Sequence, residues 1–337
     1  MAIGEDPNVI EVAYRGGVFV PAIDLWMDPR VPQGLAFVSH AHSDHAGKHR
    51  ETILSAATSR LMRSRIGVSP HEHVLDFGET RELRGAQFTL LPAGHVHGSA
   101  QLYLEMEGGS LLYTGDFKLR AGLSSEPIAW RGAETLIMET TFGKPEFIFP
   151  PAEQVLGDMV QFCREALEGG AVPVLLGYSL GKAQEILCAV AAAGLKPMLH
   201  GAVSKLTKIY REGVPGMPEF AEYEAANMAG HVLICPPSVR NSRMVQRIKK
   251  RRVAMVTGWG LTPGAVHRYQ VDAVFPLSDH AGYDDLLKYV ELVQPQRVLT
   301  LHGYASEFAR DLRRRGVEAW SLVSPDQLEF AEMFEGL

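Results

Sequence analysis

The chain has 337 residues, 46% hydrophobic and 21% charged, a globular balance whose length suits two lobes or one large domain with an insert. A net charge of −6 excludes a protein that coats nucleic acid with its whole surface, though not one with a local basic groove. Three cysteines, Cys163, Cys188 and Cys235, share no C-x-x-C spacing, which argues against a disulfide framework or a cysteine zinc site and suits a reducing cytosol.

Met1 to Glu11 is acidic and lacks an apolar h-region, so no signal peptide is expected. The first half then alternates short apolar runs with turns. Strands are predicted at Gly17 to Val20, Leu35 to Val38, Gln87 to Leu91, Leu102 to Glu105, Leu111 to Tyr113 and Thr135 to Met138. Several of them end in a polar cluster. The texture changes at Lys144 to Pro151, rich in Pro and Phe. Beyond it an amphipathic helix is predicted over Glu153 to Glu168, a buried strand over Val172 to Leu176 and a helix over Leu180 to Ala193, ending at Gly194. Further strands follow at Pro197 to His200, His231 to Cys235 and Val253 to Thr257, an alternation that implies a parallel α/β sheet. From about Asp272 the strand-then-polar pattern returns, at Ala273 to Leu277 and Arg297 to Leu301. The simplest organisation is one discontinuous domain, residues 1–147 and 269–337, around an inserted α/β domain at 148–268. Apolar stretches such as Ala171 to Leu176 and Leu187 to Ala193 are too short to cross a membrane, and the expected location is the cytoplasm.

The chemistry concentrates in the run His40-Ala41-His42-Ser43-Asp44-His45, just after a predicted strand. Residues leaving a strand stay extended for a few positions with side chains alternating at period two, so His40 and His42 are expected to face one metal. Asp44 and His45 fall where the chain turns and can reach a second. By composition alone this pattern arises in roughly one such chain per thousand, which weighs against a solvated polar loop. Imidazole with carboxylate suits zinc, manganese or iron. Further ligands have to come from other strand ends. His95 in Ala93-Gly94-His95-Val96-His97-Gly98, Asp116 in Thr114-Gly115-Asp116, and His302 in Leu301-His302-Gly303 each follow an apolar strand and border a glycine that lets backbone approach closely.

In this order, H-x-H-x-D-H, His95, Asp116 and His302 resemble the metallo-β-lactamase fold, an αββα sandwich. The inserted α/β segment and three further motifs resemble its β-CASP nuclease branch. Glu139 in Met138-Glu139-Thr140-Thr141 resembles the acidic motif A, His280 in Ser278-Asp279-His280-Ala281-Gly282 resembles motif B, and His302 resembles motif C. Gly177-Tyr178-Ser179-Leu180-Gly181-Lys182 resembles the phosphate-side loop that opens a helix of the insert. The chain's length, with no appended RNA-binding or dimerisation domain, resembles a bacterial subgroup described as ligase-associated DNA exonucleases, also labelled mRNA 3′-end processing factor-like.

The resemblance implies two divalent metals, zinc or manganese. His40, His42 and His95 would hold one, Asp44, His45 and His302 the other, with Asp116 bridging. Water between two cations ionises near neutral pH and attacks phosphorus in line. Asp44, Asp116, His280 and Glu139 are the expected catalytic set, His280 protonating the leaving oxygen under the control of Glu139. Ser179 and Lys182, at a helix start, are candidates for a substrate phosphate, with Ser179 as an ordinary N-cap the plain alternative. His97 reads as a polar neighbour of the site. The basic runs Arg247 to Arg252 and Arg313 to Arg315 read as solvated helix faces, with a nucleic-acid path as the alternative.

The implied activity is DNA phosphodiester hydrolysis, in exonuclease or endonuclease mode, in DNA repair beside an ATP-dependent DNA ligase and a helicase. An RNA-cleaving enzyme is the near alternative, since a His at motif C is commoner among the branch's RNA nucleases. A small-molecule thioesterase or lactamase of the same fold is a further alternative that would need neither the insert nor Glu139 and His280. A non-catalytic scaffold conflicts with a complete set of candidate ligands.

Overall fold

The structure is a computed structural model that describes residues 9–323, so most of the acidic start and the last part of the expected 269–337 segment lie outside the described residues. The described chain divides into two compact units. Residues 9–121, 125–147 and 280–323 form the first, and 122–124 with 148–279 form the second.

The first unit opens with a sheet whose strands lie in chain order: β1 (Ala13–Tyr14), β2 (Val18–Val20), β3 (Leu25–Met27), β4 (Leu35–Phe37), β5 (Glu51–Leu54) and β6 (His71–Val74). β1 to β3 pair antiparallel, and β3 to β6 pair parallel. Helix α1 (Ala56–Arg65) makes the crossover from β5 to β6, and its N-cap Ser55 accepts from Thr58 N–H at 3.1 Å. An antiparallel meander follows: β7 (Thr80–Leu83), β8 (Ala86–Pro92), β9 (Ala100–Met106) and β10 (Gly109–Tyr113), with β11 (Thr135–Glu139) parallel to β10.

The second unit is α2 (Ala152–Glu168), β12 (Val172–Leu176), α3 (Lys182–Ala192), β13 (Lys196–Leu199), α4 (Gly201–Gly213), β14 (Ala221–Glu222), β15 (His231–Cys235), α5 (Arg243–Gln246), β16 (Arg251–Val256), α6 (Ala265–Tyr269) and β17 (Ala273–Phe275). Its sheet runs β14-β13-β15-β12-β16-β17, and every pairing is parallel. The chain then completes the first unit with α7 (Tyr283–Val293), β18 (Arg297–Leu301), α8 (Ala305–Arg314) and β19 (Glu318–Ser321), giving a second sheet ordered β19-β18-β11-β10-β9-β8-β7.

Strand alternation builds two cores in the first unit. Leu111, Tyr113, Ile137, Leu299 and Leu301 face the first sheet, meeting Leu25, Phe37 and Ile53. Leu112, Leu136, Met138 and Val298 face the other way, onto Leu286 and Tyr289 of α7 and Phe308 and Leu312 of α8. Strands buried on both faces read as continuous apolar runs, which is why β10, β11 and β18 stand out in the sequence. The result is the expected α/β class: two face-to-face sheets with helices outside, interrupted by an inserted α/β unit.

Two expectations are corrected. β17 pairs with β16, so residues 269–279 belong to the second unit and the division falls between 279 and 280. Arg247 to Arg252 is not a helix face: it is the turn after α5, and Arg251 and Arg252 begin β16. No helix among the described residues is long and apolar enough to cross a membrane.

Candidate metal centre

The carboxyl ends of β3, β4, β8, β10, β11 and β18 present the polar residues of the first unit. The run after β4 does not stay extended. It bends from His40 and closes a turn in which His45 N–H and Ala46 N–H donate to His42 O at 3.2 and 3.0 Å. The bend still brings the first two histidines together, with His40 Nε2 and His42 Nδ1 2.9 Å apart. His95, from the loop after β8, places Nε2 3.1 Å from the same His42 Nδ1.

Asp116 is the hub. Its Oδ2 lies 3.3 Å from His45 Nε2, 3.5 Å from His40 Nε2 and 3.8 Å from His95 Nε2. Donor atoms of His40, His42, His95 and Asp116 all fall within 4.8 Å of one another. Ligands about 2.0–2.1 Å from a tetrahedral zinc stand roughly 3.3 Å from each other, so these separations suit one cation. The donor chemistry agrees, because imidazole nitrogens converging on one point leave lone pairs that a cation satisfies. The cluster fits divalent metal binding. A second grouping surrounds His45: Asp44 Oδ2 is 3.6 Å from His45 Nε2, and the rings of His45 and His302 are 5.5 Å apart.

The electrostatics follow from burial. Burial and the neighbouring imidazoles push His40 well below its usual value, so it is a neutral donor. Burial also opposes charge on His45, but Asp116, Asp44 and Asp28 override it and hold His45 well above its usual value. Asp44 is drawn down to about 2 against burial, chiefly by His45 and His42. Burial pushes Asp116 up to about 6, with His45 and His280 pulling the other way. A cation at this point favours the ionised carboxylate.

Supporting side chains orient these groups. Asp28, after β3, accepts from Ser39 N–H at 2.7 Å, Ser39 Oγ at 2.6 Å and Tyr113 OH at 2.9 Å, and holds His45 Nδ1 at 2.9 Å. Ser39 Oγ in turn lies 2.9 Å from His40 Nδ1, which turns Nε2 towards Asp116. Glu139 and His280 meet as expected, with Nδ1 to Oε1 at 2.8 Å. Glu139 is buried and also accepts from Phe117 N–H, Thr141 N–H and Thr141 Oγ. Burial would raise this carboxyl, but the charge and hydrogen bond of His280 hold it below the usual range. Asp116, Glu139 and His280 bring donor atoms within 4.8 Å of one another, and the His280 ring stands 4.7 Å from that of His95.

Gly115 shows why glycine adjoins the hub. At φ +53 it passes Ser39 so closely that a Cβ would lie 2.5 Å from Ser39 Cβ.

Outside this cluster the expectations fare differently. Lys182 is 1% exposed, and its Nζ donates to Leu277 O at 2.6 Å and pairs with Asp279 Oδ1 at 2.8 Å. These partners, both inside the second unit, brace the stretch before His280, whereas the sequence pattern suggests a substrate phosphate. Ser179 is half-buried, and its carbonyl accepts from Gln184 Nε2. It does not cap α3 either: the N-cap is Gly181, whose N–H donates to Gln184 Oε1 at 2.7 Å. His97 turns to Glu126, with Nδ1 to Oε1 at 2.7 Å, while Glu126 Oε2 accepts from Gly98 N–H. Arg313 and Arg315 are tied to Ala319 O and Asp311 at the end of α8. The sequence pattern assigns no role to Asp28, Ser39 or Glu126, and Thr141 enters it only as a neighbour of Glu139. Only Asp28 carries a signal, a carboxylate before Pro29 at the end of an apolar triplet.

Residues 268–322 match the family described as Zn-dependent metallo-hydrolase RNA specificity domain. Over 95% of its length the chain is 53% identical to a probable DNA ligase of Opitutus terrae, of which it spans 32%. It is 24% identical to the DNA cross-link repair protein SNM1 of Arabidopsis thaliana over 84% of the chain and 64% of that protein. A crystal structure of a protein of unknown function from Enterococcus faecalis V583 shares its fold, with a TM-score of 0.59, 14% identity and 97% coverage of both chains. The chain thus spans less than two thirds of the length of either named relative.

Proposed function

From a chain that belongs to the β-CASP nuclease branch of the metallo-β-lactamase fold, we propose a metal-dependent nuclease that hydrolyses DNA phosphodiester bonds at the centre around Asp116. The observation that carries the reading is the single carboxylate oxygen of Asp116 within 3.3 to 3.8 Å of three imidazole Nε2 atoms. On this reading His40, His42 and His95 hold one divalent ion, Asp44, His45 and His302 hold the other, and Asp116 is shared. Zinc is favoured by the imidazole-rich set, with manganese the second choice. When bound, the ions supply an ionised water and neutralise charge at the phosphate. The chain's own residues do the rest. Asp28 and Ser39 fix which imidazole nitrogen faces Asp116. Glu139 grips His280 Nδ1, and His280 Nε2 delivers a proton to the leaving oxygen.

The DNA assignment rests on relatives named for DNA ligation and DNA cross-link repair, and the ligase-named relative supports a role beside a DNA ligase. That the ligase is ATP-dependent and that a helicase acts with it rest on the sequence resemblance alone. RNA is the second reading, favoured by the RNA-specificity description of the family matched at 268–322. Three cysteines outside any disulfide suit a reducing cytoplasm. The test incubates purified protein with end-labelled single- and double-stranded DNA and RNA in zinc or manganese. DNA products are expected, and Asp116→Asn is expected to abolish them while leaving the fold intact. RNA-only cleavage would overturn the substrate assignment, and full activity in Asp116→Asn would overturn the metal centre.

A further inference from the structure

Between Glu224 and Asp272 the chain carries eight Lys or Arg and not one Asp or Glu, so its net −6 is +8 here and −14 elsewhere. Seven of the eight lie between Arg240 and Arg252. The segment is held down by its apolar residues. Ile248 packs with Val174, Leu176, Leu233 and Met255 of the parallel sheet, Val239 and Met244 lie at the margin of the same cluster, and Val245 is buried.

Some of these charges have structural work. Arg240 donates to Tyr269 O and Gln270 O, Arg251 to Gln246 O and Ile248 O, and Arg252 pairs with Glu165 and lies over the Phe162 ring. Arg243, Arg247, Lys249 and Lys250 are exposed and stand outside the ion pairs found among the described residues. Arg243 and Arg247 sit four positions apart at α5, where like charges repel. Local repulsion of this kind, left unneutralised in an acidic chain, is what a polyanion would relieve.

We infer that Arg243, Arg247, Lys249 and Lys250 form a docking surface on the second unit for the phosphate backbone of duplex nucleic acid. The partner is duplex rather than single-stranded because the stretch from Arg240 to Arg252 contains no aromatic residue on which an unpaired base could stack. Contacts of ammonium and guanidinium groups with phosphate are independent of sequence and are measured by their salt dependence. The surface rests on the nuclease reading for the identity of its polyanion, and the experiment separates the two.

Asp116→Asn serves as the non-cleaving parent, and Arg243→Ala, Arg247→Ala, Lys249→Ala and Lys250→Ala are combined in it. Binding to a fluorescein-labelled duplex DNA is followed by anisotropy across a potassium chloride series. The combined variant is expected to bind roughly 10- to 100-fold more weakly at low salt, with the slope of log K against log salt shallower by about 3 to 4. Its Tm stays equal or rises, because repulsion is removed. In the active background the same four changes leave hydrolysis of bis-p-nitrophenyl phosphate unchanged, since that diester carries no backbone to dock. Equal binding and equal slope would overturn the surface while leaving the nuclease reading standing. A parent that neither binds nor, with Asp116 restored, cleaves DNA would overturn that reading and this partner with it. Tighter binding of poly-L-glutamate than of DNA by the parent would reassign the surface to acidic protein and overturn the inference.

Discussion

Asp28 stands behind the candidate metal ligands, where it can orient them without touching an ion. Its buried carboxylate takes three hydrogen bonds from Ser39 and Tyr113 and aims His45 through Nδ1, from a left-handed backbone at φ 46. Burial and the adjoining Asp28 carboxylate hold the Tyr113 hydroxyl well above its usual value, so it stays a donor. Asn tolerates the same backbone region but loses the charge and one acceptor. Asp28→Asn is therefore expected to lose about 3 kcal/mol of stability in urea. Zinc affinity, read by competition with a chromophoric chelator, is expected to fall about 10- to 100-fold. An unchanged metal affinity would confine Asp28 to the fold. The contrast with His40, His45, His95 and Asp116 shows what a sequence displays. Those residues are legible because metal chemistry narrows the choice of side chain and each trails an apolar strand. Asp28 trails a three-residue strand, too short for any periodicity, and its partners come from residues 11 to 85 positions away.

Among elements, the turn from β18 to α8 is tightly constrained by backbone. His302 sits at φ 60 and Gly303 at φ 53, and Thr140 Oγ1 donates to the His302 carbonyl at 2.8 Å. A Cβ on Gly303 would meet Thr141 Cα at 2.5 Å and the Thr140 and Thr141 carbonyl oxygens at 2.7 Å, all backbone that cannot yield. Gly316, after α8, has φ +83 with nothing within 4 Å of its Cβ position. Gly316→Ala is thus expected to cost about 1 kcal/mol, the left-handed preference alone. Gly303→Ala adds the clash and costs about 3 kcal/mol or more, with loss of metal-dependent activity as His302 is displaced. Thermal denaturation of the pair measures the difference, and equal losses would refute the steric argument. The glycine beside His302 is visible in sequence, but its backbone neighbour is not, because Thr140 and Thr141 follow another strand, β11. The extended run expected at His40 to His45 has a similar lesson. His40 and His42 do meet, yet through a bend that starts at His40 and leads into the turn closed on His42 O, rather than through an extended strand.

Across the molecule, the candidate metal ligands and the acid-free basic stretch belong to different units. Every candidate metal ligand lies in the first unit, and the acid-free stretch lies in the second. The α/β class and the existence of an insert are legible from texture alone. The return point is not, because β17 followed by Ser278, Asp279 and His280 looks like the strand-and-cluster units of the first unit, while its hydrogen bonds go to β16. The division predicts how metal removal is felt. A ligand that binds only the folded form at 100 times its Kd adds about 2.7 kcal/mol, a roughly 100-fold slowing of exchange through openings that destroy the site. Amides buried in β10 and β11, such as Tyr113 and Ile137, open only when the strand ends bearing Asp116 and Glu139 come apart. Amides of Val174 and Leu233, in the sheet of the second unit, open without disturbing any candidate ligand. Hydrogen exchange of zinc-loaded against chelator-treated protein is expected to slow strongly at the first pair and little at the second. Equal slowing at both would mean that the two units open together and would overturn the division.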